Sequence, residues 1–134
     1  MIPYFAYGSN LDWDWMAHIC PGSKYLSRAY LNNYKITERQ FADIDKQRGI
    51  KVYGLLWEVT KDHLDSLDHY EGSFYKRMVI SVEFFAEKRT ILAVTYQMHD
   101  KWKTRLDGIK YTPEYRIQCS DAVEHINLPK NVFV

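Results

Sequence analysis

YFAYGSN, residues 4–10, runs a short aromatic and apolar segment into a glycine, a serine and an asparagine, and then resumes with Leu11 and two tryptophans. Residues 2–7 (IPYFAY) read as a buried strand ended by Gly8. Asn10 is then placed to cap a short helix in which Leu11, Trp15 and Ile19 share one face, stopped by Pro21-Gly22. A tight turn between a buried strand and a helix start presents several backbone N–H groups in one direction, which suits an anion or an oxyanion. The same turn also serves as a plain strand-to-helix connection with an Asn cap, and the residues alone leave both readings open.

Outward from this turn, residues 23–31 and 34–38 read as a hairpin about Asn32-Asn33, residues 39–50 as a polar loop, and 51–59 as a strand with Gly54 inside it. Thr60 is the expected N-cap of a helix through Tyr70, with Gly72 just past its end. Residues 75–86 and 89–98 form a second hairpin around Glu87-Lys88. Pro113 opens a last helix whose stripe of Tyr115, Cys119, Ala122, Val123 and Ile126 runs until Pro129. The expectation is about six strands and three helices in one α+β domain over residues 1–134, with a strongly curved, barrel-like sheet.

Composition narrows the function classes. The 134 residues carry a formal net charge of +1 with acids and bases interspersed, so no basic stripe points to nucleic acid. Cys20 and Cys119 stand far apart without a CxxC pattern, and the five histidines form no HxxxH or HxH pair, so no metal site is expected. No segment approaches the roughly 18–20 apolar residues that span a bilayer. The chain is therefore expected to be soluble, cytoplasmic and unassociated with membrane. Aromatic residues make up 16%, with eleven tyrosines, which suggests an aromatic core or pocket.

Glu71 is the most informative single residue. It follows Leu64 by seven positions and Leu67 by four, so its carboxylate projects from the apolar stripe of its helix, at the end where the macrodipole disfavours negative charge. Both effects raise a carboxyl pKa toward the range of general acid/base work. The structural alternative is a pair with Lys76 or Arg77. Ser9 lacks the G-x-S-x-G elbow and a recognisable triad, and Cys20, between Ile19 and Pro21, is expected to be buried rather than nucleophilic.

In order along the chain, YFAYGSNL, CPGSKYLSRAYLNNYKI, VYGLLWEV, LDHYEG followed by YKR, and TPEYRIQCSDAVEHINLP resemble the gamma-glutamylcyclotransferase-like family over nearly the whole length. The resemblance implies a small curved, barrel-like mixed sheet with flanking helices and a central cavity. It also implies conversion of a small-molecule γ-glutamyl amide to 5-oxoproline and a free amine, with no cofactor and no metal. In that family Glu71 matches the catalytic acid/base. Tyr4, Phe5, Ala6, Tyr7, Gly8, Ser9, Asn10 and Leu11 match the substrate-binding segment, and Tyr115 matches a substrate-contacting tyrosine. The shared motifs leave open the leaving amine, the oligomeric state, and the alternative of a non-catalytic ligand-binding or regulatory module on the same fold.

Overall fold

Ile2–Ala6 extends as strand β1 and is paired along both edges. It lies antiparallel to β3 (Phe41–Val59), with Ile2 opposite Val59 and Ala6 opposite Leu55, and parallel to β5 (Arg89–Met98), with Tyr4 opposite Val94. β2 (Lys24–Arg39) and β4 (Tyr75–Phe84) complete a closed barrel in the order β1-β3-β2-β4-β5. The computed structural model describes residues 1–128. Among these, the helices are α1 (Trp13–Ile19), α2 (Lys61–Glu71), α3 (Asp100–Leu106) and α4 (Pro113–His125), with short 3-10 turns at Ser9–Leu11 and Gly72–Phe74.

Side-chain alternation along the strands divides the core in two. Phe5, Ala29, Leu31, Ile44, Val52, Leu56 and Val82 form a cluster built almost wholly from strand residues, which fills the barrel. On the other face, Tyr4, Leu55, Trp57, Val59 and Val94 pack against Met16, Leu64, Leu67, Ala122 and Val123 of α1, α2 and α4. The start of α2 is set by a capping box. The Thr60 hydroxyl accepts from the His63 N–H, and His63 Nδ1 accepts from the Thr60 N–H, both at 3.1 Å.

The expected α+β barrel is the observed one, with four local differences. Residues 24–39 are one strand. Asn33 (φ 63°) makes a bulge at the register shift between Asn32 and Tyr34, so the Asn-Asn pair bends the strand without reversing it. The reversal comes at Gln40 (φ 67°), and residues 41–50 belong to β3. This stretch is polar because charge holds it: Asp43, fully buried, accepts from Arg39 at 2.8 Å and from Lys103 at 2.9 Å. α1 is capped by Asp12, whose carboxylate accepts from the Asp14 and Trp15 N–H groups, and not by Asn10. α3, whose DKWKTRL sequence offers little apolar periodicity, is a fourth helix. The expected stop at Pro129 lies outside the described residues.

Gly54 sits where β3 passes close against β1. A Cβ there would stand 2.2 Å from the Ala6 carbonyl oxygen and 2.8 Å from the Phe5 ring, and the first of these is backbone within a paired strand. Gly54→Ala is expected to lower stability by about 2–3 kcal/mol, the range of an overpacked core, measured by urea denaturation.

Candidate active site

The segment leaving β1 folds into the 3-10 turn by closing the Leu11 and Asp12 N–H groups onto the Gly8 and Ser9 carbonyls, each at 3.0 Å. Among the described residues the Gly8, Ser9 and Asn10 N–H groups find no acceptor. The turn is anchored through side chains: Asn10 Nδ2 donates to the Tyr4 hydroxyl (2.8 Å), the Tyr7 hydroxyl donates to the Tyr96 carbonyl (2.6 Å), and the Ser9 and Tyr70 hydroxyls lie 2.7 Å apart. Asn10 Oδ1 is buried without a partner. Gly8 has an ordinary φ of −113°, so its role is space. A Cβ there would lie 3.0 Å from the Tyr115 hydroxyl, which the missing side chain lets close over the turn.

The backbone of Ala42, at the start of β3, ties two further tyrosines to the same place. Its N–H donates to the Tyr115 hydroxyl at 3.1 Å, and its carbonyl accepts from the Tyr75 hydroxyl at 2.6 Å. Burial pushes the Tyr4, Tyr7, Tyr75 and Tyr115 phenols well above their usual pKa, so all four remain neutral donors at working pH.

Glu71 closes the ring of residues. It is the last residue of α2, one turn past the fully buried Leu67, and its carboxylate makes no hydrogen bond or ion pair among the described residues. Burial pushes its carboxyl up to about 8. The expected alternative partner is occupied: Arg77 forms a two-point pair with Asp68, whose carboxylate also accepts from the Tyr96 hydroxyl, while Lys76 is exposed. The Arg77 hydrogen bond is the main reason that Asp68 stays below the usual carboxylate range.

Two chambers meet at Glu71. The inner one, about 300 Å³ with its opening, is lined by Tyr4, Tyr7, Gly8, Asn10, Ala42, Thr95 and Tyr96. The outer one, about 420 Å³ with its opening, adds Phe41, Tyr70 and Phe74. Ser9, Glu71, Tyr75 and Tyr115 border both. An uncharged carboxyl between a polar cavity and an aromatic one is suited to carry protons within a bound molecule. Of the residues singled out in the sequence, Glu71, Tyr4, Tyr7, Gly8, Ser9, Asn10 and Tyr115 are brought together here. Phe5, Ala6 and Leu11 instead lie in the core and line neither chamber.

Ala42, Phe41, Tyr70, Phe74, Tyr75, Thr95 and Tyr96 were not expected. Tyr70 and Tyr75 lie inside LDHYEG and YKR, where a signal existed, whereas Phe41 and Ala42 were hidden in a stretch that reads as loop. Cys20 is buried, with its thiol pushed up to about 11 by desolvation and its Sγ directed at the His63 carbonyl, so it is no nucleophile. Among the described residues no cluster of metal-ligating side chains occurs and no helix is long and apolar enough to cross a membrane.

A family model described as gamma-glutamyl cyclotransferase, AIG2-like, matches residues 4–116. The gamma-glutamylcyclotransferase of Bos taurus is 28% identical over 138 residues, covering 91% of this chain and 70% of that protein. The Homo sapiens protein of the same name is 29% identical over 139 residues, with the same coverage. A solved gamma-glutamyl cyclotransferase structure superposes with a TM-score of 0.79 at 24% identity, covering 97% of this chain and 82% of that one. A solution structure from Arabidopsis thaliana superposes with a TM-score of 0.65 at 22% identity, covering 93% and 87%. At these identities the structural matches establish a shared fold.

The raised carboxyl has a consequence for stability. With a folded pKa of about 8 against an unfolded value of 4.5, the native state holds one more proton than the unfolded chain between those pH values. Stability is therefore unpenalised below pH 4.5, falls as pH rises to about 8, and levels off above. Glu71→Gln removes this cost. Its stability gain over wild type is expected to be near zero at pH 4 and about 3–5 kcal/mol at pH 9, followed by denaturant titration across pH. An equal gain at both pH values would mean that the carboxyl is not desolvated.

Proposed function

The chain belongs to the gamma-glutamyl cyclotransferase, AIG2-like family, and on that basis we propose that it cyclises a γ-glutamyl amide to 5-oxoproline, with Glu71 carrying the proton. The observation that carries this reading is the unpaired, desolvated carboxyl of Glu71 lining one polar chamber with the turn at Gly8–Asn10.

The γ-glutamyl moiety occupies the inner chamber, with its α-carboxylate and δ-carbonyl close to the N–H groups of Gly8, Ser9 and Asn10. Its α-ammonium lies against Glu71. A model α-amino group has a pKa of about 7.7–8.0, close to the value reached by Glu71, so a proton passes between them at little net cost. The freed amine nitrogen attacks the δ-carbon, and the carbonyl electron pair moves onto oxygen, where backbone N–H groups stabilise it. On collapse the bond from the δ-carbon to the leaving nitrogen breaks as Glu71 gives that nitrogen its proton, and the regenerated carboxylate then takes the surplus proton from the ring nitrogen and passes it to the released amine, which departs as its ammonium ion. One C–N bond forms and one breaks, so water is not consumed. Both reacting groups belong to one molecule, and the tyrosines mainly hold it curled.

The reading is tested by supplying γ-glutamyl amino acids, γ-glutamylamines and glutathione to the purified protein and following 5-oxoproline by mass spectrometry. Turnover is expected from at least one class, with Glu71→Gln slower by about 10²–10⁴-fold. The carboxylate form of the free enzyme acts on the ammonium form of the substrate, so kcat/KM is expected to rise with pH toward about 8 and to fall again above the pKa of the substrate's own amine. Binding without any 5-oxoproline would assign the chamber to a ligand-binding module, and full activity in Glu71→Gln would remove Glu71 from the chemistry.

A further inference from the structure

We propose that the outer chamber is the subsite for the departing amine and selects apolar, above all aromatic, substituents that carry no carboxylate. The inference rests on the cyclotransferase reading and deepens it. Glu71, Ser9, Tyr75 and Tyr115 border both chambers, so an amide whose acyl side fills the inner one has its nitrogen at their boundary and its amine substituent in the outer one.

The outer walls determine which substituents fit. Beyond the shared residues they are Phe41, Tyr70 and Phe74. These rings are braced: Phe41 meets Tyr115 edge-on at 5.2 Å, and Phe74 rests on Trp102 at 4.5 Å. A ring seated here gains dispersion and aromatic contacts without the walls first having to order.

Charge argues the same way. Among the described residues no lysine, arginine or histidine lines the outer chamber, and Glu71 is its one ionisable carboxyl. Lys103 is bound by Asp43, Asp45 and the Ile44 carbonyl, Arg77 by Asp68, and Arg116 by Glu38. Lys101 and Arg105 are held over the Trp102 ring and do not line the chamber. A leaving group with its own α-carboxylate would bring a second acid beside Glu71 with no cation to meet it, at a desolvation cost.

The test measures dissociation constants by calorimetry on Glu71→Gln, in which turnover is slowed by about 10²–10⁴-fold. The ligands are γ-glutamylbenzylamide, γ-glutamylmethylamide and γ-glutamylphenylalanine, and product formation by wild type is followed alongside. The benzylamide is expected to bind about 10–100-fold more tightly than the methylamide, and more than about 10-fold more tightly than the phenylalanine compound. Adding Phe74→Ala should reduce the benzyl preference to about threefold or less, while Phe74→Leu, which keeps the fold and an apolar wall, should retain most of it. Equal affinities for the two amides, or a benzyl preference untouched by Phe74→Ala, would overturn the subsite even if wild type makes 5-oxoproline. Absence of 5-oxoproline with the benzyl preference intact would overturn the reaction and leave the subsite standing. Failure of all three ligands to bind, with no 5-oxoproline from wild type, would overturn both.

Discussion

The pairing of β1 on both edges is the constraint from which the arrangement of the site follows. Because β1 runs parallel to β5, the two strands exit at the same end of the barrel. β4 is antiparallel to β5 with Tyr75 opposite Met98, so β4 begins at that end, and α2 must deliver Glu71 there through a single 3-10 turn. β3 is antiparallel to β1 with Leu55 opposite Ala6, so its earlier residues continue past the exit of β1 and bring Phe41 and Ala42 over it. A five-residue strand thus gathers four distant parts of the chain around one opening.

Within that opening the Glu71 carboxyl is left without a cation. Arg77 follows Glu71 closely in sequence and would neutralise it, but Asp68, one turn earlier on α2, takes the guanidinium together with the Tyr96 hydroxyl. The neighbouring phenols are committed too: Tyr75 donates to the Ala42 carbonyl and Tyr7 to the Tyr96 carbonyl. Glu71 is therefore left desolvated without a compensating partner, a local instability of the kind that active sites retain at the expense of overall stability. Its raised pKa comes from burial alone, so it depends on how far the surrounding side chains keep water from the carboxyl.

The sequence was legible where local chemistry and packing agree. The Thr60 cap, the Leu64–Leu67 stripe and the Gly72 terminus (φ 67°) follow from side-chain types that act within a few residues, and they placed Glu71 correctly on the apolar face. Asn10 failed as a cap because a long-range partner, the Tyr4 hydroxyl, takes its side chain while Asp12 caps the helix. Phe5, Ala6 and Leu11 share a motif with residues of the cavity, but their side chains are taken up wholly by the two core clusters. Tyr96 lies on a strand with no distinguishing neighbour, and only the barrel's closure brings it to the opening.

The hardest segment to read, residues 41–46, shows how a strand with only Ala42 and Ile44 on its core face is held in register by charge. Asp43 accepts from Arg39, Lys103 and the Met98 N–H, which ties the β2–β3 hairpin to α3 and to the end of β5. Burial raises the Asp45 carboxyl, but hydrogen bonds from Arg39, Lys103 and Thr37 outweigh it and hold the group below the usual carboxylate range. Buried charges of this kind add little net stability once desolvation is counted, and their better-attested role is to specify one arrangement over its neighbours. Here a slip of one residue would turn Ile44 from the barrel interior toward Lys103 and carry the Ala42 carbonyl away from the Tyr75 hydroxyl. The ion network therefore acts on the site through register: by fixing Asp43 it fixes Ala42, and Ala42 holds the two tyrosines that stand on either side of the boundary between the chambers.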